Sequence, residues 1–297
     1  MDAIRLKARA KINLGLDVVR RRPDGYHEVR MVMQMLQLYD QIYIEKITEP
    51  DIRIRTNLSF LPTDERNIAY RAARMLMDAF GIRQGVRIDI DKHIPVAAGM
   101  AGGSTDCAAV LYGVNKLFRL GLSPEELRQF GVKLGADVPY CLLRQTALSE
   151  GIGEVLTPVA PLPNCPILIA KPPISVSTKH VYEHLKLDEG IVHPDIDGIV
   201  EALERQDLYG VTGRLGNVLE TVTIPEHPVI AQIKERMIAS GAVNALMSGS
   251  GPTVFGIFDN DKKAESAYEN MKASGLSRQI YLTRPFNQIE VKKRANR

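Results

Sequence analysis

Pro95-Val96-Ala97-Ala98-Gly99-Met100-Ala101-Gly102-Gly103-Ser104-Thr105 lies between two patterns of different period. Before it, Val86, Ile88 and Ile90 alternate with Arg87, Asp89 and Asp91, the period of a half-buried strand. After it, Cys107, Ala108, Val110, Leu111, Val114 and Leu117 recur at helical spacing. Gly99, Gly102 and Gly103 allow positive φ and close approach of another group, and Ser104, Thr105 and Asp106 fall where N-cap residues belong. A glycine-rich loop feeding a helix start offers unpaired N–H groups and the positive end of a dipole, so its natural occupant is a phosphate. The alternative is a tight strand-to-helix turn that binds nothing.

Spacing excludes two familiar phosphate loops. A P-loop needs lysine and then Ser or Thr directly after its last glycine, whereas Gly103 is followed by Ser104 and the loop holds no lysine. A dinucleotide fingerprint needs Gly-x-Gly-x-x-Gly after the first strand of a βαβ unit, and this loop comes about ninety residues into the chain.

Upstream, residues 4–19 read as one or two strands. Ile4, Leu6 and Ala8 alternate with Arg5, Lys7 and Arg9, and Ile12, Leu14, Leu16 and Val18 continue the same phase. Lys11 and Asn13 then share the opposite face, either as a polar pair aimed at one ligand or as a solvent-facing edge. A turn at 20–25 leads to Tyr26 and His27, which can stack on and hydrogen-bond a planar ring or simply lie in solvent. An apolar run at 29–38, strands at 41–46 and 52–55 and a helix at about 67–80 complete the approach to the loop.

Downstream, Ser123-Pro124-Glu125-Glu126 is a helix start. Asp137, in Gly135-Ala136-Asp137-Val138-Pro139, either caps the next turn or is a functional carboxylate. Glu150, Gly151, Gly153 and Glu154 form a polar turn, and Pro158, Pro161, Pro163 and Pro166 mark a boundary. Beyond it, strands at 167–170, 244–247, 253–258 and 279–282 and helices at 178–185, 195–204, 229–239 and 262–273 suggest a ferredoxin-like α+β layer. Ser248-Gly249-Ser250-Gly251-Pro252 is a hairpin turn, or a site offering two hydroxyls and close backbone approach.

A chain of 297 residues predicts about two domains. The expected division is 1–160 and 161–284, with 285–297 a solvated tail carrying Lys292, Lys293, Arg294 and Arg297. With 38 Lys+Arg against 35 Asp+Glu, the charge of +3 argues against a broad nucleic-acid-binding face. Cys107, Cys141 and Cys165 are odd in number and lack CxxC spacing, which suggests reduced thiols and no zinc site. No apolar run reaches membrane-spanning length and no signal-peptide core opens the chain, so a soluble cytoplasmic protein is expected.

Lys11-Ile12-Asn13-Leu14, the GMAGGST core of 95–105, and Met247-Ser248-Gly249-Ser250-Gly251-Pro252-Thr253 resemble, in order and spacing, the three motifs of the GHMP kinases. Arg22-Pro23-Asp24-Gly25-Tyr26-His27-Glu28, Gly135-Ala136-Asp137-Val138-Pro139 and Gly151-Ile152-Gly153-Glu154 are similar to one branch of that family, whose acceptor is CDP-methylerythritol of the non-mevalonate isoprenoid pathway. The match spans nearly the whole chain.

The resemblance implies a two-domain α+β GHMP kinase fold, monomeric or homodimeric. Its N-terminal domain would carry the ATP loop and its C-terminal domain would be ferredoxin-like, with the active site in the cleft between them. Residues 95–105 would hold the ATP phosphates, and Ser104 would help hold Mg²⁺. Asp137 would take the proton from the 2-hydroxyl of CDP-methylerythritol. Lys11 beside it would counter charge on the transferred group. Asn13 would bond the acceptor, His27 would read the cytosine edge, Tyr26 and Tyr182 would stack on its faces, and Thr178 would contact the nucleotide diphosphate. Ser248, Gly249, Ser250 and Gly251 would close the cleft.

Two positions depart from the family pattern: Arg9 stands where a small residue or proline is usual, and Arg144-Gln145 stand where Gly-Gly is common. The rivals are another GHMP kinase, acting on homoserine or mevalonate, and a sensing relative without turnover. A cytosine reader at Tyr26-His27 has no purpose on the first, and a binding module does not need both Lys11 and Asp137.

Overall fold

The computed structural model describes residues 1–188 and 190–286. The first part of the chain runs β1 (Ala3–Arg21), β2 (His27–Ile47), β3 (Ile52–Thr56), α1 (Ile68–Ala79), β4 (Gly85–Asp91), α2 (Gly102–Phe118), α3 (Pro124–Val132), α4 (Val138–Leu143), β5 (Ala147–Glu150) and β6 (Val155–Pro158). It continues with β7 (Ile167–Lys171), α5 (Thr178–His184), α6 (Ile196–Glu204), α7 (Leu208–Thr212), β8 (Gly216–Asn217), α8 (Glu220–Glu226), α9 (Val229–Ala239), β9 (Asn244–Met247), β10 (Val254–Ile257), α10 (Asp261–Ser274) and β11 (Gln279–Thr283).

Two sheets result. The larger has the order β3-β4-β2-β1-β8, with β5 paired to β2 and β6 to β5; the smaller, β11-β7-β10-β9, is wholly antiparallel. With β7 and β10 central and α9 and α10 packed against the strands, the second sheet is the ferredoxin-like layer expected from the sequence. Start signals were legible where side chains close the helix ends. Asn67 accepts from the Ala69 N–H at the head of α1, and Ser123 with Glu126 forms a capping box on α3.

β1 departs from its expected phase. Register shifts interrupt its pairing with β2 between Arg9 and Lys11, between Asn13 and Gly15, and between Val18 and Arg20. Such irregularities turn alternate side chains to the other face of a strand. Ala8, Leu16 and Val18 accordingly join one core, with Met33 and Leu111, whereas Ala10, Ile12 and Leu14 join a second, with Ile167, Ile169 and Phe255 of the smaller sheet. Lys11 and Asn13, between the shifts, are buried rather than on a solvent-facing edge.

Other differences have local causes. The two apolar stretches at 29–38 and 41–46 are one long strand, β2, because Asp40 continues the ladder while its carboxylate bonds elsewhere. α7, β8 and α8 escape periodicity because they are five, two and seven residues long, and α8 contains Pro225. Arg144, the C-cap of α4, adopts φ 59, so the turn forms without glycine there. Its guanidinium lies 5.9 Å from the Phe286 ring centroid and that of Arg9 lies 3.6 Å away, so both unusual arginines flank one aromatic ring. Of the expected tail, Pro285 bridges Leu36 and the Phe286 N–H donates to the Met35 carbonyl at 2.7 Å. Lys292, Lys293, Arg294 and Arg297 lie outside the described residues.

Candidate active site

The glycine-rich loop opens α2 in a different way from the sequence expectation. Positive φ falls on Ala97 (50°), Gly99 (71°) and Ala101 (56°), while Gly102 and Gly103 are already helical. The N-cap is therefore Ala101, without a side-chain cap bond, and not Ser104, Thr105 or Asp106, which lie inside the first turns. An αL alanine costs roughly 1 kcal/mol, a cost met by what fixes the loop from outside. The Lys11 N–H donates to the Met100 carbonyl at 3.2 Å, and Ser248 Oγ donates to the Gly99 carbonyl at 2.9 Å. With no side chain over its end, α2 presents its first N–H groups, at Gly102, Gly103 and Ser104, to whatever occupies the space in front.

That space is a cavity of ≈ 940 Å³. Pro95, Val96, Ala97, Ala98, Gly99, Ala101, Gly102, Gly103 and Ser104 line it, together with Lys11, Asp137, Tyr26, His27, Thr178, Tyr182, Gly249 and Ser250. Met100 and Thr105 are turned into the interior instead: Met100 is in the second core, and the Thr105 N–H closes the helix onto Ala101. Ser248 and Gly251 are buried behind the wall, one bonding the loop and the other turning the hairpin.

Asn13 is also behind the wall. Its Oδ1 accepts from Lys11 Nζ at 2.7 Å and its Nδ2 faces Met31 Sδ at 3.4 Å, so it aims the ammonium into the cavity. Asp137 stands at the head of α4 without a side-chain cap bond, which removes the capping alternative and leaves its carboxylate open. The two charges meet around Cys141: burial pushes that thiol up, the Asp137 charge adds to the rise, and the Lys11 charge opposes it.

On the same cavity wall, the His27 and Tyr182 rings are 5.2 Å apart, tilted by 44°, and Tyr26 is 61% exposed. Burial, then the Arg21 charge, hold the His27 imidazole below its usual range. Thr178 Oγ1 and Ser250 Oγ share a hydrogen bond of 2.8 Å, joining the head of α5 to the hairpin loop.

Sequence reasoning missed two participants. Asn217 of β8 donates to the carbonyls of Met247 and Gly249, both at 2.8 Å, tying the hairpin loop to the strand beside β1; nothing in its neighbours marks a two-residue strand. Lys92, next to the cavity, bridges Asp40 and Asp106; Asp106, just beyond Thr105, was the available signal.

Comparisons with known proteins agree with this geometry. The sequence matches the GHMP kinases N terminal domain over residues 67–145 and the GHMP kinases C terminal over residues 212–276. It is 60% identical to the 4-diphosphocytidyl-2-C-methyl-D-erythritol kinase of Lachnoclostridium phytofermentans over 98% of this chain and 100% of the relative. It is 49% identical to the enzyme of that name from Clostridium perfringens, over 96% of this chain and 99% of the relative. Among solved structures, a 4-(cytidine 5'-diphospho)-2C-methyl-D-erythritol kinase superposes with a TM-score of 0.82 at 33% identity, covering 95% of this chain and 99% of the other. A homoserine kinase from Cytophaga hutchinsonii, at 19% identity and a TM-score of 0.78, shares the fold.

Proposed function

This chain belongs to the 4-diphosphocytidyl-2-C-methyl-D-erythritol kinases of the GHMP family, and we infer that it transfers the γ-phosphoryl group of ATP to the 2-hydroxyl of that compound. This is a step of the non-mevalonate route to isoprenoids, and we assign it to the cytoplasm. The observation that carries the reading is a single cavity shared by the open end of α2, the Lys11 ammonium, the uncapped Asp137 carboxylate and the rings of Tyr26, His27 and Tyr182.

The division of labour follows from the chemistry. Phosphoryl transfer is mostly alignment and charge neutralisation. The N–H groups of Gly102, Gly103 and Ser104 receive phosphate oxygens, and Lys11, steadied by Asn13, faces the charge on the transferred group. Asn13 thus acts on the acceptor through Lys11. Asp137 orients the acceptor hydroxyl in line and takes its proton. Among the described residues no three His, Cys, Asp or Glu side chains converge as a metal site, so a cation here would draw most of its ligands from the nucleotide. The donors present are hard oxygens, the Ser104 hydroxyl and a buried, unpartnered Asp106 Oδ1, and they suit Mg²⁺, which would neutralise phosphate charge. We take 1–160 and 161–284 as the two functional halves, a division supported by the intervening prolines and by the smaller sheet, whose strands all follow them, while β8 of the second half crosses over to pair with β1.

With ATP and Mg²⁺ supplied, the protein is expected to phosphorylate the cytidine compound and to leave homoserine and mevalonate untouched. Transfer to either of those instead would overturn the acceptor reading.

His27 gives a pH signature. Its imidazole lies below the ordinary value of about 6.5, so at neutral pH it is uncharged and keeps one ring nitrogen as an acceptor for the cytosine amino group. The KM for the acceptor should therefore be flat from about pH 7 upward and rise only as pH falls below the ordinary imidazole value of about 6.5. His27→Gln should flatten that limb. A KM already rising between pH 8 and 7 in the unaltered enzyme would contradict a neutral reader.

A further inference from the structure

We propose that Asp40 is a positioning residue for ATP, latching both ends of the phosphate loop through Lys92 and Asp106. Asp40, in the middle of β2, is fully buried. Its Oδ1 accepts from the backbone N–H groups of His93 at 2.6 Å and Ile94 at 2.8 Å, the residues that lead into the loop. Its Oδ2 accepts from Lys92 Nζ, and the same ammonium donates to Asp106 Oδ2 at 2.7 Å, on the far side of the loop. A single carboxylate thus holds the segment before the loop directly and the first turns of α2 through one lysine.

The geometry places this latch where phosphate N–H groups must be aimed. A Cβ added at Gly102 would lie 3.2 Å from Lys92 Nζ, so the ammonium sits directly beneath the first residue of α2. The loop above it runs through positive φ at Ala97, Gly99 and Ala101 and has no sheet pairing to hold its direction. Burying three charged groups is not in itself a route to stability, because apolar packing of the same volume does as well. An apolar cluster could not direct two backbone N–H groups and a helix turn together. The acceptor rings make no bond to the latch: Tyr182 is on α5, and His27 opens β2, the strand whose middle carries Asp40.

The inference rests on the reading of the loop as the ATP site, so the unaltered enzyme is assayed alongside. If it neither binds ATP nor transfers phosphate, that reading fails, whereas the latch is judged only from variants against an active enzyme. Asp40→Asn keeps an acceptor for His93 and Ile94 but sets an amide against Lys92. It is expected to raise KM for ATP about tenfold or more while KM for the cytidine acceptor moves less than about twofold. Asp40→Asn leaves Lys92 Nζ paired with Asp106, so both KM values are read well below the variant's own Tm, where a loss of stability alone leaves KM for ATP unchanged. A role in stability alone would lower Tm and leave KM for ATP unchanged, and that outcome overturns the proposal. Should Asp40→Asn not fold, Asp40→Glu, which keeps the charge beside Lys92 but changes its reach to the His93 and Ile94 N–H groups, is read the same way: KM for ATP at least about threefold higher is expected, and an unchanged KM overturns the latch.

Discussion

Asp137→Asn is expected to lower kcat by about 10²–10⁴-fold, the range for a positioned acid or base, with ATP affinity within about twofold of the unaltered enzyme. The amide is isosteric with the carboxylate but neither accepts a proton nor draws the acceptor hydroxyl in line. ATP binding should persist because the phosphate-facing N–H groups belong to a different helix, α2, whereas Asp137 heads α4. Stability sharpens the assignment. A capping acid contributes about 1 kcal/mol, but Asp137 makes no cap bond, so Tm should not fall. A variant that lost ATP binding and turnover together would place Asp137 outside the base role.

Gly99→Ala should disable the site through geometry instead of charge. Gly99 has φ +71, and a Cβ there would lie 2.1 Å from the Ser248 carbonyl oxygen and 3.2 Å from that of Gly251. Both obstacles are backbone, held by the hairpin between β9 and β10 and by Asn217, so neither can swing aside as a side chain would. The αL penalty of about 1 kcal/mol and an overpacking cost of about 1–3 kcal/mol act together. At about 2–4 °C per kcal/mol for a domain of this order, Tm should drop by about 5 °C or more, and KM for ATP should rise at least about tenfold as the loop is pushed off the hairpin. Gly103→Ala is the stability control: its added Cβ would come no nearer than 3.7 Å to Ile68, in helical backbone, and Tm should hold or rise slightly. Equal destabilisation by the two substitutions would remove the Ser248 contact as the cause.

How far the sequence was legible depended on whether the signal was local. Asn67, Ser123 and Asp195 announce helices because a side chain accepts from a backbone N–H two or three residues on, a relation visible in a short window. Val86, Ile88 and Ile90 announced β4 because alternation needs no partner to be read. Lys11, Asp137 and the loop were singled out by residue type and by resemblance, and apart from Met100 and Thr105 they line the cavity.

What could not be read was set by contacts between distant segments. The face that Lys11 and Asn13 occupy depends on register shifts against β2, which alternation within β1 does not reveal. Positive φ at Ala97 and Ala101, in place of Gly102 and Gly103, depends on bonds from Lys11 and Ser248 that anchor the loop from opposite sides. Asp40 falls between the apolar run at 29–38 and the strand at 41–46, and the place assigned to it here depends on Lys92 and Asp106, which lie 52 and 14 residues from their partners along the chain.

Proton-coupled ³¹P spectroscopy of the product formed from ATP and 4-diphosphocytidyl-2-C-methyl-D-erythritol tests the central claim most directly. The carbon bearing the 2-hydroxyl carries a methyl group and no hydrogen, so a phosphomonoester formed there has no three-bond coupling to a proton. The expected result is a new uncoupled phosphomonoester signal growing as the γ-phosphate of ATP declines. A doublet or triplet would put the phosphate on a neighbouring hydroxyl and contradict the alignment assigned to Asp137, and loss of γ-phosphate without any new ester would contradict transfer to this acceptor altogether.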